Sequence, residues 1–346
     1  SGVKPLDLFM PKIVVFEPAA LKYPLGEKIY AYFKNKPVEI IKSSLAVFSR
    51  RLTEYTEKQR YAYSKIVLAV TRNQQKKLDV CKPSADYEFA LVSNCPGSCE
   101  YCYLQTNQSY KPYLKAYVNL EEIWDMLQAA IPPDVSQPVT FEAASNGDPL
   151  AIEHITGSVG ATIEFFGRLE MGRLRIVTKF NNADLIAGME HNGHTRIRIS
   201  INTEYVIRKF EHHTSRMEER LDAAMKLVGA GYPIGFIVAP IIMHENWEQE
   251  YEDMFKQVRQ KLHGLNMAGI TFELIQHRYT LSAKQRILER FPGTKLEMDE
   301  TKRELKWGKY GKFKYVYPRE AQKSIRESLS SMIEKYFPEA VIDYFT

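Results

Sequence analysis

The stretch Ser93-Asn94-Cys95-Pro96-Gly97-Ser98-Cys99-Glu100-Tyr101-Cys102-Tyr103 holds three of the four cysteines in this chain of 346 residues. Their spacing, C-x3-C-x2-C, puts three thiols on one short loop. Thiolates select soft metal centres, namely zinc, Cu(I) and iron–sulfur clusters. A structural zinc site takes four protein ligands, and the sequence has neither a second cysteine pair nor a C…H-x3-H spacing. The loop therefore favours an iron–sulfur cluster with one open iron; a zinc site and merely buried cysteines remain the alternatives.

The composition is that of an ordinary globular protein, with 45% hydrophobic and 26% charged residues. No run of eighteen apolar residues predicts a membrane span, and the N-terminus lacks the pattern of a secretory signal. Four cysteines, three of them clustered, argue against a disulfide scaffold, so we expect a cytoplasmic protein. The net charge of +5 suits a polyanionic partner such as DNA, although many proteins without such a partner are equally basic.

Strand-like and helical patterns alternate through the middle of the chain. The predicted strands are 88–93, 139–143, 174–179, 195–201, 234–239 and 270–275. The predicted helices between them are 120–130, 152–167, 182–190, 217–229 and 247–263. Such alternation predicts βαβ units and a parallel α/β sheet. We expect three segments: an N-terminal α/β extension at 10–85, this sheet at 86–275, and a C-terminal segment at 276–346 with a β-hairpin and a helix.

Several blocks of the sequence resemble a known family. An aromatic residue, Tyr101, precedes the last cysteine, as in the cluster loop of the radical S-adenosylmethionine (SAM) superfamily. Further blocks are similar, in the same order, to the spore photoproduct lyase family; they are 99–106, 141–144, 177–180, 272–278 and 307–311. The resemblance implies an incomplete (β/α)6 barrel, whose chemistry would sit on loops at the C-terminal strand ends.

The resemblance also implies cofactors, activity and partners. Cys95, Cys99 and Cys102 would hold a 4Fe–4S cluster, and the open iron would bind SAM. The reduced cluster would cleave SAM to a 5′-deoxyadenosyl radical, because the cofactor carries the hard chemistry. The enzyme would be a carbon–carbon lyase that reverts the spore photoproduct in duplex DNA to two thymines. It would need a reductant such as a ferredoxin or a flavodoxin.

The SAM pocket implied by the resemblance uses residues at strand ends. Gly147 would let the backbone approach closely, and Asp148 would accept from the SAM ammonium group. Lys179 would pair with the SAM carboxylate, and Ser200 matches a family position near SAM. Tyr103 is assigned to the same pocket.

Cys81 and Ser145 bear on the hydrogen donor that the family mechanism needs. Better-known members have a cysteine where this chain has Ser145, and a serine O–H bond is too strong to give its hydrogen to a carbon radical. Cys81 is the one cysteine left without a role, so we predict that it is the donor, with a small buried hydrophobe as the alternative. The family implies that Tyr101 and Tyr103 return the hydrogen atom, although either could serve only in packing.

The C-terminal segment carries the predicted DNA contacts. His277 and Arg278 could face substrate phosphate, and the basic, aromatic run 302–317 predicts a hairpin that wedges into the duplex. Lys309 would contact a phosphate and Tyr310 would replace lost base stacking, because a lesion must leave the stack before it can react. Two other functions stay open: a radical SAM enzyme with a different substrate, and a non-catalytic iron–sulfur protein that binds DNA or senses redox state.

Overall fold

The computed structural model describes residues 8–107, 113–308 and 312–346. The predicted DNA contacts Lys309 and Tyr310 lie outside these residues. The strands are β1 (Ile13–Phe16), β2 (Glu39–Lys42), β3 (Val67–Thr71), β4 (Asp79–Val80), β5 (Tyr87–Glu88), β6 (Val92–Ser93), β7 (Ser98–Cys99), β8 (Leu114–Tyr117), β9 (Val139–Glu142), β10 (Gly172–Thr178), β11 (Thr195–Ile201), β12 (Glu211–His212), β13 (Ile234–Ile241), β14 (Thr271–Gln276), β15 (Glu304–Trp307), β16 (Phe313–Val316) and β17 (Val341–Phe345). The helices are α1 (Pro24–Phe33), α2 (Leu45–Ser49), α3 (Glu57–Ser64), α4 (Leu104–Asn107), α5 (Leu120–Ala129), α6 (Glu153–Thr156), α7 (Ser158–Arg168), α8 (Glu204–Phe210), α9 (Met217–Gly229), α10 (Trp247–Lys261), α11 (Leu281–Arg290) and α12 (Arg319–Tyr336).

The chain divides into two compact units, 1–96 with 108–196 and 97–107 with 197–346. These units cut across the three segments expected from the sequence. The first combines the N-terminal extension with the first strands of the expected barrel, and the second combines the later strands with the C-terminal segment. Each unit contributes its own strands and has its own clusters of buried apolar residues.

The first unit contains a five-stranded sheet in the order β2-β1-β3-β8-β6. Strands β1 and β3 are apolar and buried along their whole length, as expected for parallel strands covered on both faces. A second group of strands has the order β10-β9-β5-β4, in which β5, β9 and β10 are parallel. Strand β4 pairs antiparallel with β5, so a tight reversal at 81–86 joins them.

The second unit contains the parallel strands β11, β13, β14 and β17, in that order. Helix α10 follows β13 and packs against α12, so the helices and the sheet make a mixed α/β structure. A two-stranded ladder joins β7 to β12, and a second joins β15 to β16. Within the described residues, no helix is both long enough and apolar enough to cross a membrane.

Most elements follow the sequence pattern, but the expected strand at 88–93 is wrong: it divides into β5 and β6, which belong to different sheets. The expected helix at 217–229 and the expected strand at 195–201 have the observed bounds of α9 and β11. The expected hairpin and final helix of the C-terminal segment are present as β15–β16 and α12. The expected helix at 152–167 is interrupted, because Gly157 adopts a φ of 63° between α6 and α7. The expected helix at 182–190 shortens to the 3-10 turn Asn182–Leu185.

Candidate active site

Cys95 directly follows Asn94, whose backbone joins two loops of the first unit. Its neighbour Asn94 forms a parallel bridge with Gly147, and the Asn94 N–H donates to the Asn146 carbonyl at 2.7 Å. A Cβ atom on Gly147 would lie 2.2 Å from the Asn94 carbonyl oxygen, so only glycine fits there. Lys65 donates to the Cys95 carbonyl at 2.8 Å. The close approach predicted for Gly147 is therefore made to the start of the cysteine loop.

Asp148 ties this loop to the end of β10. Its carboxylate accepts from the Thr178 hydroxyl at 2.9 and 3.0 Å and from the Lys179 N–H at 3.0 Å. Burial raises the pKa of Asp148 to about 6, against the opposing effect of these hydrogen bonds. Asp148 therefore fixes the backbone from which Lys179 projects. The contacts predicted from both residues to SAM stay predictions.

Cys81 begins the reversal between β4 and β5 and is half-buried. The Ala85 N–H donates to the Cys81 carbonyl at 3.0 Å and closes the turn. At the far end of the turn, the Asp86 carboxylate accepts from the Thr140 N–H at 2.9 Å. The reversal is thus fastened to strand β9, which leads into the segment with Ser145.

Glu142, the last residue of β9, links the Cys81 turn to the Ser145 segment. One carboxylate oxygen accepts from the Ser84 hydroxyl at 3.2 Å, and the other accepts from the Ala144 N–H at 3.0 Å. Ser84 belongs to the turn that begins at Cys81, and Ala144 directly precedes Ser145. The structure therefore brings the neighbourhoods of Cys81 and Ser145 to the same end of the same strand.

Cys99 and Cys102 belong to the second unit, where backbone bonds hold their loop. Cys99 pairs with Glu211 in the β7–β12 ladder, and the Cys102 N–H donates to the Cys99 carbonyl at 3.2 Å. The Gln105 amide also donates to this carbonyl, at 2.9 Å, and Arg290 donates to Gln105 at 2.6 Å. The contacts of Gln105 are buried, so the loop has a rigid support within its own unit.

Tyr101 is anchored by a buried ion pair. Its hydroxyl donates to Glu211, and the second Glu211 oxygen lies 2.6 Å from Arg220, with both charged side chains fully buried. Burial and the negative charge of Glu211 raise the pKa of Tyr101 well above its ordinary value, so the phenol keeps its proton. Arg220 also donates to the Ser200 carbonyl at 3.1 Å. The Arg220–Glu211 pair therefore supports both Tyr101 and the end of β11. Tyr103, by contrast, is 54% exposed.

The base of the C-terminal hairpin surrounds His277. Arg303 donates to the Nδ1 atom of this histidine at 3.1 Å, and burial together with the Arg303 charge lowers the pKa of His277 to about 3. A neutral ring cannot attract phosphate by charge, so any such contact from His277 would be a plain hydrogen bond. Arg278 is exposed. Phosphate binding by either residue stays a prediction.

The donor set of the cysteine loop suits an iron–sulfur cluster. Three thiols lie within eight residues, and Cys95 and Cys102 are half-buried; thiolates are the usual ligands of such clusters. Across 8–107, 113–308 and 312–346, no three His, Cys, Asp or Glu side chains form a group that could hold a metal ion. Ligation by all three cysteines therefore stays a prediction that rests on the chemistry of the residues.

Several supporting residues were missed by the sequence analysis. Two of them, Glu142 and Ser84, hold the segments next to Ser145 and Cys81. Two others, Glu211 and Arg220, contact Tyr101 and Ser200. Their partners are distant in the chain; Tyr101 and Glu211 are 110 positions apart. The one available signal was a carboxylate at the end of a buried strand, since an ionised side chain is buried only where hydrogen bonds or a counter-charge stabilise it.

Comparison with known proteins gives a consistent result over the whole length. The sequence model described as spore photoproduct lyase matches residues 9–346. The chain is 44% identical to the spore photoproduct lyase of a Geobacillus species over 98% of this chain and 99% of that protein. It is 43% identical to the spore photoproduct lyase of Bacillus subtilis, over the same shares of the two chains.

A solved structure agrees with the computed one at a TM-score of 0.95 and 45% identity, over 98% of this chain and 99% of that chain. It is a spore photoproduct lyase variant with a cysteine-to-alanine and a serine-to-cysteine substitution, with bound AdoMet and dinucleoside spore photoproduct. These matches confirm the resemblance found in the sequence. The chain belongs to the spore photoproduct lyase family.

Proposed function

We propose that this protein is a radical SAM lyase that reverts the spore photoproduct in DNA to two thymines. The observation that carries the proposal is the match to spore photoproduct lyases over nearly the whole chain. The hydrogen-bonded link from the Cys81 turn through Glu142 to the Ser145 segment supports the choice of donor. In the related variant, one cysteine is lost and another is gained in place of a serine. The same exchange would leave Cys81 as the donor in this chain, with Ser145 where other members have cysteine.

The fold that we propose is the incomplete (β/α)6 barrel of the superfamily. The parallel ladder β5-β9-β10 in the first unit supports it, as does the parallel ladder β11-β13-β14 in the second. Side chains at the C-terminal ends of such strands meet at one face of a barrel. Of the proposed SAM residues, Lys179 directly follows β10, Ser200 is the penultimate residue of β11, and Asp148 lies in the loop after β9.

The cofactors that we propose are a 4Fe–4S cluster and SAM. Cys95, Cys99 and Cys102 would hold the cluster, and Gly147, Asp148, Lys179, Ser200 and Tyr103 would surround SAM. When bound and reduced, this pair of groups supplies a carbon-centred radical that takes a hydrogen atom from the lesion. The reductant is proposed to be a small electron carrier such as a ferredoxin or a flavodoxin.

Cys81 has the chemistry that the final hydrogen return requires. The S–H bond breaks as a C–H bond forms on the repaired thymine, which leaves a sulfur-centred radical on Cys81. That radical regains hydrogen from a phenol, and the phenol is restored by the hydrogen atom first taken from the lesion. Tyr103 is favoured as the phenol in this relay, because the Tyr101 hydroxyl already donates to Glu211.

The hairpin β15–β16 has the two faces that a duplex wedge needs. Alternation along the strands puts Leu305, Trp307 and Phe313 on one face, and Trp307 is 73% exposed. The Trp307 and Phe313 rings lie 3.9 Å apart between centroids. Lys306 and Lys314 pair across the other face. One face could replace base stacking, and the other could contact phosphates.

An anaerobic assay tests the proposed function. Protein with a reconstituted cluster is given SAM, dithionite and a dinucleotide spore photoproduct, and restored thymine dinucleotide is measured. We expect repair by the parent protein and none by Cys102→Ala, which should lose the cluster. A protein that holds stoichiometric zinc without iron, or that binds a cluster but leaves SAM uncleaved, would refute the proposal in favour of a zinc protein or a redox sensor.

A further inference from the structure

The link between the Cys81 turn and the Ser145 segment has one residue at its centre. Glu142 is only 2% exposed, and its two carboxylate oxygens face different partners. One accepts from Ser84 at 3.2 Å and the other accepts from the Ala144 N–H at 3.0 Å. A buried carboxylate is costly unless hydrogen bonds stabilise it. Both of these bonds lead to segments that the proposed chemistry uses.

We propose that Glu142 is a positioning residue for hydrogen return, which holds the Cys81 turn through Ser84 and the Ser145 segment through the Ala144 N–H. This inference rests on the proposed role of Cys81 as donor. Glu142 does not itself contact the reacting atoms in this scheme. It sets the distance between the turn that would give the hydrogen atom and the segment that carries the donor in other members of the family.

The rest of the turn shows why a second fastening is needed. Asp86 binds Thr140 at the point where the turn enters β5, through two bonds of 2.9 and 3.1 Å. Those bonds fix the base of the turn, where the Cys81 N–H donates to the Asp86 carbonyl at 3.3 Å. The Ala85 N–H closes the turn onto the Cys81 carbonyl, and Ser84 directly precedes Ala85. Loss of the bond between Ser84 and Glu142 would therefore loosen the tip of the turn, which contacts Cys81 from the other side.

Atom transfer is sensitive to such freedom, because a misplacement of about 1 Å can cost on the order of a hundredfold in rate. A slow return leaves the product radical time to react elsewhere. The informative quantity is therefore the amount of SAM consumed per thymine dinucleotide restored. General damage to the fold would lower SAM consumption and repair together and leave this ratio unchanged.

The test compares Ser84→Ala, Glu142→Leu and the double variant on a dinucleotide photoproduct. Leucine is close to glutamate in size but has no acceptor, so it removes the bonds to both Ser84 and the Ala144 N–H. We expect each single variant to raise SAM consumed per repair by roughly threefold to tenfold, from partial misplacement of the donor. The double variant should be no worse than Glu142→Leu, because that variant already lacks the bond to Ser84. Ser84→Thr, which keeps the hydroxyl, should restore the parent ratio.

A second readout needs neither cluster nor SAM. Amide hydrogen exchange in the cluster-free protein should rise across 81–86 in Ser84→Ala, and across both 81–86 and 144–146 in Glu142→Leu. Ser49→Ala is the matched control, since Ser49 is another half-buried serine of the first unit and donates to the Leu45 carbonyl. It should leave the exchange of both segments and the SAM ratio unchanged.

The possible results separate the two proposals. A parent SAM ratio in both Ser84→Ala and Glu142→Leu would overturn the positioning role, as would a parallel fall in SAM cleavage and repair at constant ratio. Cys81→Ala is measured alongside. If it shows a high ratio while the other two do not, only the role of Glu142 fails; if it shows the parent ratio, the donor proposal fails and the role of Glu142 fails with it.

Discussion

Two antiparallel reversals of this molecule, β4–β5 and β15–β16, serve opposite structural purposes. The first carries Cys81 and is fastened to β9 by two side chains in the second half of its turn, Ser84 and Asp86. The second is rooted at its base, where Tyr279 and Tyr315 exchange backbone hydrogen bonds and stack. Beyond that base it exposes Trp307 and other apolar side chains. The difference matches the proposed roles: polar partners hold the turn proposed to give one hydrogen atom, and the hairpin proposed to meet DNA keeps its apolar surface uncovered.

The first prediction tests whether the fastened reversal carries chemistry. Cys81→Ala should keep the cluster, SAM cleavage and lesion binding, but should lower clean repair by about a hundredfold, which equals roughly 2.7 kcal/mol of barrier. The cluster and SAM cleavage should survive because the other three cysteines of the chain are the proposed cluster ligands. Restored thymine dinucleotide and side products are measured by chromatography with mass detection.

A compensating substitution sharpens this prediction. Cys81→Ala combined with Ser145→Cys returns the thiol to the position it has in other family members. Since Glu142 joins both segments, we expect this double variant to recover most of the lost repair. Normal repair by Cys81→Ala alone would mean that the Cys81 thiol only packs.

The second prediction concerns tolerance of the fastened region to added volume. Gly147→Ala would put a Cβ atom 2.2 Å from the Asn94 carbonyl oxygen, and backbone on both sides resists movement. We expect a loss of about 1–3 kcal/mol in the free energy of unfolding, measured by urea titration of the cluster-free protein. Gly188→Ala is the matched control, because a Cβ atom there meets nothing within 4 Å. Equal midpoints for the two variants would contradict the close packing.

The third prediction concerns the uncovered reversal. Trp307→Ala removes an exposed ring, so stability should change by less than about 0.5 kcal/mol. Binding of lesion-containing duplex should weaken by roughly 1–3 kcal/mol, the usual value of an aromatic–base stack. Repair of a free dinucleotide should be nearly unchanged, because no base has to leave a stack.

Leu281→Ala controls for the loss of exposed apolar surface, since Leu281 is also exposed and begins α11 in the same unit. It should bind duplex as the parent does. Equal losses of dinucleotide and duplex repair in Trp307→Ala would show that the ring is structural.

The sequence predicted the elements well because their patterns are local. Helix α9 has its polar and apolar residues at helical spacing, and β11 alternates isoleucine with arginine and serine at the period of a strand. The break at Gly157 was missed, since the helical pattern continues through it and only the positive φ ends α6. Strand β17 was missed because it follows the final helix and pairs with β14 across a long stretch of chain.

The site was predicted in its reactive residues but not in its supports. Cys81 drew attention by elimination, since a count of cysteines needs no structure. Glu142 could not be singled out in the same way, because its importance lies in a bond to Ser84, 58 positions away. Arg220 likewise looks like one more charge on a helix until its burial beside Glu211 is known. Long-range polar contacts follow from packing, which sequence periodicity does not encode.

The last and smallest expected effect lies on the basic face of the uncovered reversal. Lys306 and Lys314 are direct cross-strand partners, and like charges in that arrangement destabilise a sheet. Burial, with the charges of Arg278 and Lys306, lowers the pKa of Lys314. The protein thus keeps a mildly unfavourable pair, which an approaching phosphate would relieve.

Lys306→Ala should therefore raise the free energy of unfolding slightly, by about 0.2–1 kcal/mol, while it weakens duplex binding. The slope of log affinity against log salt should become shallower by roughly 0.9 for the one lost phosphate contact. Lys323→Ala is the control, since this exposed lysine on α12 pairs with Glu327 and not with another cation. It should leave the salt slope as it is. If Lys306→Ala destabilises the protein and leaves the slope unchanged, the lysine pair is a structural feature of the hairpin, and the DNA contacts lie elsewhere on the molecule.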